Sequence, residues 1–186
     1  MIRRQVFAAI RVLLGLTVLL GVLYPLAVTG LAQVAMPHRA GGSLVRSEGA
    51  VVGSSLIGQE FTGPEWFHGR PDPFDPTASG ATNLGPSNEL LVGAVRLAAD
   101  DVARAEEWAG PIPADAVSGS GSGLDPHISP EYARLQAPRV AAARGLEGEE
   151  VLRLVDSATE GRTLGILGEP RVNVLLLNLA LSALRP

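Results

Sequence analysis

From Val12 to Ala32 the chain runs for 21 residues without a formal charge, most of them Leu, Val, Gly and Ala. An α-helix rises ~1.5 Å per residue, so about 20 such residues cross the ~30 Å hydrocarbon layer of a bilayer. Thr17 and Thr29 can bond their hydroxyls back to helix carbonyls, and Pro25 is expected to kink the helix, which membrane helices tolerate. Tyr24 lies too deep in the run for an interfacial anchor. Tyr24 and Pro25 are therefore candidates for contact with other membrane helices. Arg3, Arg4 and Arg11 precede the run with no acid among them, which places the N-terminus in the cytoplasm and the rest of the chain beyond the run outside; Arg39 and Arg46 on the far side weaken that bias. The rival reading is a cleaved signal peptide. Its apolar region spans about 7–15 residues and ends in a small-x-small site, which Gln33-Val34-Ala35-Met36 fits poorly. The expected organisation is a cytoplasmic tail and membrane anchor over 1–36, then one extracytoplasmic soluble domain over 37–186.

Of the 186 residues, those after the anchor suffice for one domain that buries roughly two-thirds of its unfolded surface. All 15 basic residues are arginine. Without lysine the chain has neither a G-x-x-x-x-G-K-[ST] phosphate loop nor Schiff-base chemistry. Setting aside Arg3, Arg4 and Arg11 leaves 12 basic against 19 acidic residues, an acidic domain with no basic patch for nucleic acid. The absence of cysteine removes disulfides, zinc–thiolate sites, iron–sulfur clusters and thiol catalysis. Packing alone must hold the domain.

A polar connector over 38–47 leads to a short strand with glycine punctuation over 51–58, and a Gly/Pro-rich irregular stretch over 59–86 is expected to be pinned by Trp66, Phe67 and Phe74. Leu90, Leu91, Val95, Ala98, Val102 and Ala105 recur at helical spacing after a cap at Ser87 or Asn88, giving an amphipathic helix of about twenty residues that Gly110-Pro111 stops. Ser129-Pro130-Glu131 opens a second helix ending at Arg144-Gly145. A third covers 147–158, and the apolar segment 172–184 is too short to span a bilayer and reads as a buried helix. The fold class is α+β: a transmembrane helix plus a mainly helical domain with a small β element.

Ser118-Gly-Ser-Gly-Ser-Gly-Leu-Asp125-Pro-His127 contains the residue types of a hydrolase triad, but Gly121 stands where a G-x-S-x-G elbow needs serine, and Asp125 and His127 flank a rigid proline. A turn-forming loop is the plainer reading. His38, His68 and His127 lie far apart in no metal-ligand spacing, so no metal is expected. Arg70, beside Trp66-Phe67-His68, can bond a carboxylate or stack on a ring. Gln136 and Arg139 share a helix face with three-residue spacing, and Arg144 lies further along the helix; they form either an ion-paired surface or a contact patch for a partner.

Seven segments in register resemble the C subunit of the Kdp potassium-transporting ATPase of bacteria. They are Gly53-Ser-Ser-Leu-Ile-Gly-Gln59, Trp66-Phe-His-Gly-Arg-Pro71, Ser79-Gly-Ala-Thr-Asn-Leu-Gly-Pro-Ser-Asn88, Ser120-Gly-Ser-Gly-Leu-Asp-Pro-His-Ile-Ser-Pro130, Gln136-Ala-Pro-Arg-Val-Ala-Ala-Ala-Arg144, Leu167-Gly-Glu-Pro-Arg-Val-Asn-Val-Leu175 and Leu177-Asn-Leu-Ala-Leu181. The resemblance implies a non-catalytic accessory subunit in the cell inner membrane, without a cofactor of its own. Its implied partners are a channel-like A subunit, a P-type ATPase B subunit and a small F subunit. It further implies that the chain stabilises the assembly and, as a catalytic chaperone, raises the ATPase subunit's affinity for ATP, with Gln136 helping to hold the nucleotide. Within these segments Arg70, Asp125, His127, Arg139, Arg144, Arg171 and Asn173 are candidates for partner contact. Outward placement sets the domain across the membrane from cytoplasmic ATP, so any effect on ATP is expected to be indirect. An anchored serine hydrolase built on Ser122 and a stand-alone binding module are the alternative functions.

Overall fold

Pro25 has no N–H to give the preceding turn, and a helix meeting it must either bend or widen. In the computed structural model, which describes residues 2–72 and 74–184, it widens. Helix α1 (Ile2–Val18) passes through a π-helical turn at Leu19–Leu23 into α2 (Tyr24–Ala35), and the Tyr24 N–H reaches the Leu19 carbonyl one residue further back than in an α-helix. The extra residue absorbs the proline's missing bond while Val18, Leu23 and Tyr24 all keep right-handed helical torsions. Where a kink is expected at Pro25, a π-turn stands immediately before the proline. Ile2–Ala35 forms one helix long and apolar enough to cross a membrane, and none of its most apolar stretch is buried against the rest of the chain. A single helical turn, α3 (Pro37–Ala40), comes next.

The chain divides into two compact units, residues 1–44 and 45–186. Strands β1 (Leu44–Ser47) and β2 (Ala50–Ser54) form a hairpin. Its two turn residues, Glu48 and Gly49, both take positive φ, the conformation that matches the twist of a two-residue hairpin. The connector expected over 38–47 therefore contains most of α3 and a strand, and the strand expected over 51–58 begins at Ala50 and ends at Ser54. Four residues are too few for alternation to reveal.

In the second unit, α4 (Glu89–Ala105) is capped by Asn88, whose side-chain oxygen accepts the Leu90 N–H at 2.9 Å. It stops five residues before Gly110, where Glu106 leaves the helical path and its carboxylate meets Arg139 at 3.0 Å. A turn, α5 (Ala114–Val117), leads to β3 (His127–Ile128) and then α6 (Pro130–Arg144). Ser129 caps α6 by accepting the Tyr132 N–H at 3.0 Å, and Gly145 closes it at φ 66°. Next come α7 (Gly148–Ala158), β4 (Thr159–Glu160), β5 (Arg171–Asn173) and α8 (Val174–Ala183). The start of the expected C-terminal helix, Val172 and Asn173, is strand. It is the middle of an antiparallel sheet in the order β3-β5-β4, with Ile128 and Thr159 opposite Val172.

The core lies where α6, α7 and α8 pack around this sheet. Val140, Val151, Val155, Val172, Leu177 and Leu181 are fully buried with Phe67, and Ala133 and Ala137 let α6 approach closely. Each large aliphatic side chain taken from water contributes about 1.5–3 kcal/mol. The architecture is α+β, mainly helical, with two small sheets.

Candidate functional site

Residues 64–68 form neither helix nor strand, yet Phe67 is fully buried, so the main-chain groups around it need partners. Side chains of α6 and α8 supply them. Gln136 accepts the His68 N–H at 2.7 Å and donates to the His68 carbonyl at 3.1 Å. Asn178 does the same for Phe67, at 2.9 Å in both directions. Arg139 donates to the carbonyls of Pro64 and Trp66 at 2.6 and 3.0 Å, and Arg144 to that of Glu65 at 2.8 Å. The Arg144 guanidinium also lies 4.3 Å over the Trp66 ring. A third bond of Arg139, to the Gln136 side-chain oxygen at 3.0 Å, and its pair with Glu106 tie the clamp into one network.

Burial is the largest influence on how these groups titrate. It pushes the Glu106 carboxyl above its ordinary value, against the opposing pull of Arg139. It holds His68 below its ordinary value, with Arg139 adding to the effect and the bond to the Gly63 carbonyl resisting it. Tyr132, pressed against the same network, is raised by burial to about 12.

A second constellation pins the serine–glycine loop. Arg70 donates to the carbonyls of Ser118 and Gly119 and lies 3.7 Å from the Asp125 carboxylate. Asp72 accepts the Ser120 N–H through both oxygens. Asp125 takes the His127 N–H at 3.0 Å and faces Nδ1 at 3.2 Å; these bonds, with the charge of Arg70, hold its carboxyl below the usual range. Ser120 and Ser122 use their hydroxyl oxygens to accept the N–H groups of Gly123 and Leu124. Neither serine hydroxyl bonds His127 among the described residues, so the loop's bonds are those of a turn rather than a triad.

The remaining sequence candidates fall elsewhere. Arg171 pairs with Glu160 across β4 and β5 at the surface. Asn173 is buried, caps α8 through the Leu176 N–H and donates to the Ser55 carbonyl. Tyr24 and Pro25 stand exposed on the first unit. Sequence reasoning passed over Asn178 and Glu106, whose partners lie 111 and 33 residues away and leave no local trace.

A cleft of about 590 Å³ opens between α4 and the segments around Gln59, His68 and Asp125. Its charged lining is four carboxylates, Glu60, Asp72, Asp101 and Asp125, against the single guanidinium of Arg70, which is already engaged. That balance repels a polyphosphate. Among the described residues no three His, Asp or Glu side chains converge as a metal site.

Residues 6–183 match the family described as KdpC: K+-transporting ATPase, c chain. The chain belongs to this family. The KdpC subunit of Caulobacter vibrioides (strain NA1000 / CB15N) is 56% identical over 176 residues, covering 91% of this chain and 88% of that protein. The KdpC subunit of Sorangium cellulosum is 55% identical over 183 residues, covering 95% and 96%. That of Rhodopseudomonas palustris (strain BisB5) is 50% identical over 196 residues, covering 97% of each. As a KdpC chain it is one subunit of a potassium-transporting ATPase complex, with a role in potassium transport. The clamp on residues 64–68 and the pinned serine–glycine loop are the polar framework of this chain's second unit.

Proposed function

We propose that this chain is a non-catalytic accessory subunit that holds its domain on the outer face of the membrane, stabilises the channel-like A, ATPase B and small F subunits as one assembly, and affects ATP use only through them. The observation that carries this reading is the disposition of Gln136. Its amide is fully buried and is spent at both ends on the backbone of His68. A nucleotide could take these bonds only by dismantling the clamp. The carboxylate-rich cleft points the same way, as does the lack of any lysine.

Two measurements test the reading. Equilibrium titration of the purified full-length chain with ATP is expected to give a Kd no tighter than about 1 mM, some 4 kcal/mol or less of binding. Rebuilding the complex with and without the chain is expected to change its integrity and its ATP dependence together. Micromolar binding by the isolated chain would overturn the proposal.

A further inference from the structure

Between β4 and β5 the chain runs out into a hairpin tip, residues 161–170, all of it exposed. Thr163 and Leu167 pair antiparallel, each donating its N–H to the other's carbonyl at 2.8 and 2.9 Å. Leu164 and Gly165 turn the corner with φ of 56° and 77°. Arg162 and Glu169 pair at 2.6 Å below the tip, and Arg171 and Glu160 pair a step closer to the core. The hairpin is thus a braced extension of the central sheet, whose middle strand carries the fully buried Val172.

Solvent is an unfavourable environment for what this tip displays. Leu164, Ile166 and Leu167 are 86%, 75% and 57% exposed, three large aliphatics within four residues. A bilayer is the first alternative occupant. Interfacial segments that bind anionic lipid carry an excess of Lys and Arg. Here each arginine is matched by a glutamate already bonded to it, so the rim offers no net attraction to lipid headgroups. An apolar centre ringed by neutralised charge is instead the anatomy of a protein interface, where a few buried anchors carry the affinity and the rim excludes water.

We propose that Leu164, Ile166 and Leu167 form an apolar plug that seats in a recess, outside the bilayer, on another chain of the same transporting ATPase. This rests on the reading of the chain as an assembly subunit, since membership of a c-chain family implies sister chains. Three side chains make too small a contact to hold two proteins together unaided. Once a membrane helix is lodged in the same complex the encounter becomes intramolecular, and the plug acts at high effective concentration.

The test places a photo-crosslinking amino acid at Leu164 in the full chain, expressed with the other subunits in native membranes. A control probe goes at Arg153, an exposed site on α7. The expected result is a crosslink from position 164, absent or about tenfold weaker from 153, to a subunit that co-purifies with the chain and is identified by mass spectrometry. In parallel, Leu164→Ser with Ile166→Ser and Leu167→Ser is expected to leave the chain's thermal unfolding unchanged while lowering its retention in the detergent-solubilised complex by about tenfold. Crosslinks from 164 only to lipid, only to a second copy of this chain, or to nothing, with the unprobed chain still co-purifying, would overturn the plug and leave the subunit reading standing. Failure of the unaltered chain to co-purify would overturn both.

Discussion

At the scale of single residues, amides decide how the domain is held. Gln136 and Asn178 each close a two-bond ring on one residue of an irregular segment, a task for which an amide, with one donor and one acceptor end, is suited. Gln136→Ala leaves the His68 N–H and carbonyl unpaired and removes a bond to Arg139. It is expected to lower unfolding free energy by about 2–6 kcal/mol, at about 1–3 kcal/mol for each of the two groups left without a partner. Arg162→Ala breaks an exposed ion pair and is expected to cost less than about 1 kcal/mol. Urea unfolding of the two variants measures the contrast, and equal losses would refute the clamp. His68 supplies a pH signature. Its native value is depressed, so below the unfolded value of about 6.5 the unfolded chain binds the proton more readily than the native one. The stability that neutral His68 carries is complete above that pH and is lost as pH falls through it. Unfolding measured at pH 7.5 and 5 is expected to show the loss, and His68→Gln to flatten it; an unchanged slope in the variant would assign the effect to other groups.

At the scale of elements, α6 organises the domain because both its ends are fixed and both sides of it are used. Ser129 caps it and also donates its hydroxyl to Asp115 at 2.9 Å, joining α6 to α5. Ser129→Ala loses both bonds, and a destabilisation of about 1–2 kcal/mol is expected in thermal unfolding, against a few tenths for an exposed serine such as Ser87. A loss no larger than for Ser87→Ala would show that the cap is dispensable. What could be read in advance tracks the range of the interactions. The start of α6 at Ser129-Pro130 and its stop at Gly145 are written within a few residues and stand where the sequence puts them, and of the two caps the sequence offers for α4, Ser87 and Asn88, the helix uses Asn88. Strands of two and three residues, β3, β4 and β5, carry no periodicity. Val172 and Asn173 look like helix until His127 and Ile128 come alongside. Gln136, Arg139 and Arg144 are visible in the sequence as polar residues of one helix, but whether they face solvent or backbone depends on residues 64–68, some 70 positions earlier.

At the scale of the whole molecule, the two units set the questions that matter for transport. One is a helix whose most apolar stretch is entirely unburied within the chain; the other is an acidic domain with a core of its own. Three arginines before the anchor and none of the acids argue for an outward domain, and an outward domain excludes direct contact with cytoplasmic nucleotide. The absence of cysteine makes the point testable without removing any native thiol. Ser87→Cys puts a thiol on the exposed turn before α4, and Arg4→Cys puts one ahead of the anchor. With a membrane-impermeant maleimide on spheroplasts, the thiol at 87 is expected to label as fully before membrane disruption as after it, and the thiol at 4 only after. The reverse pattern would place the clamp and the cleft on the ATP side of the membrane. It would remove the topological objection to nucleotide contact and leave only the local one, that Gln136 is already bonded at both ends.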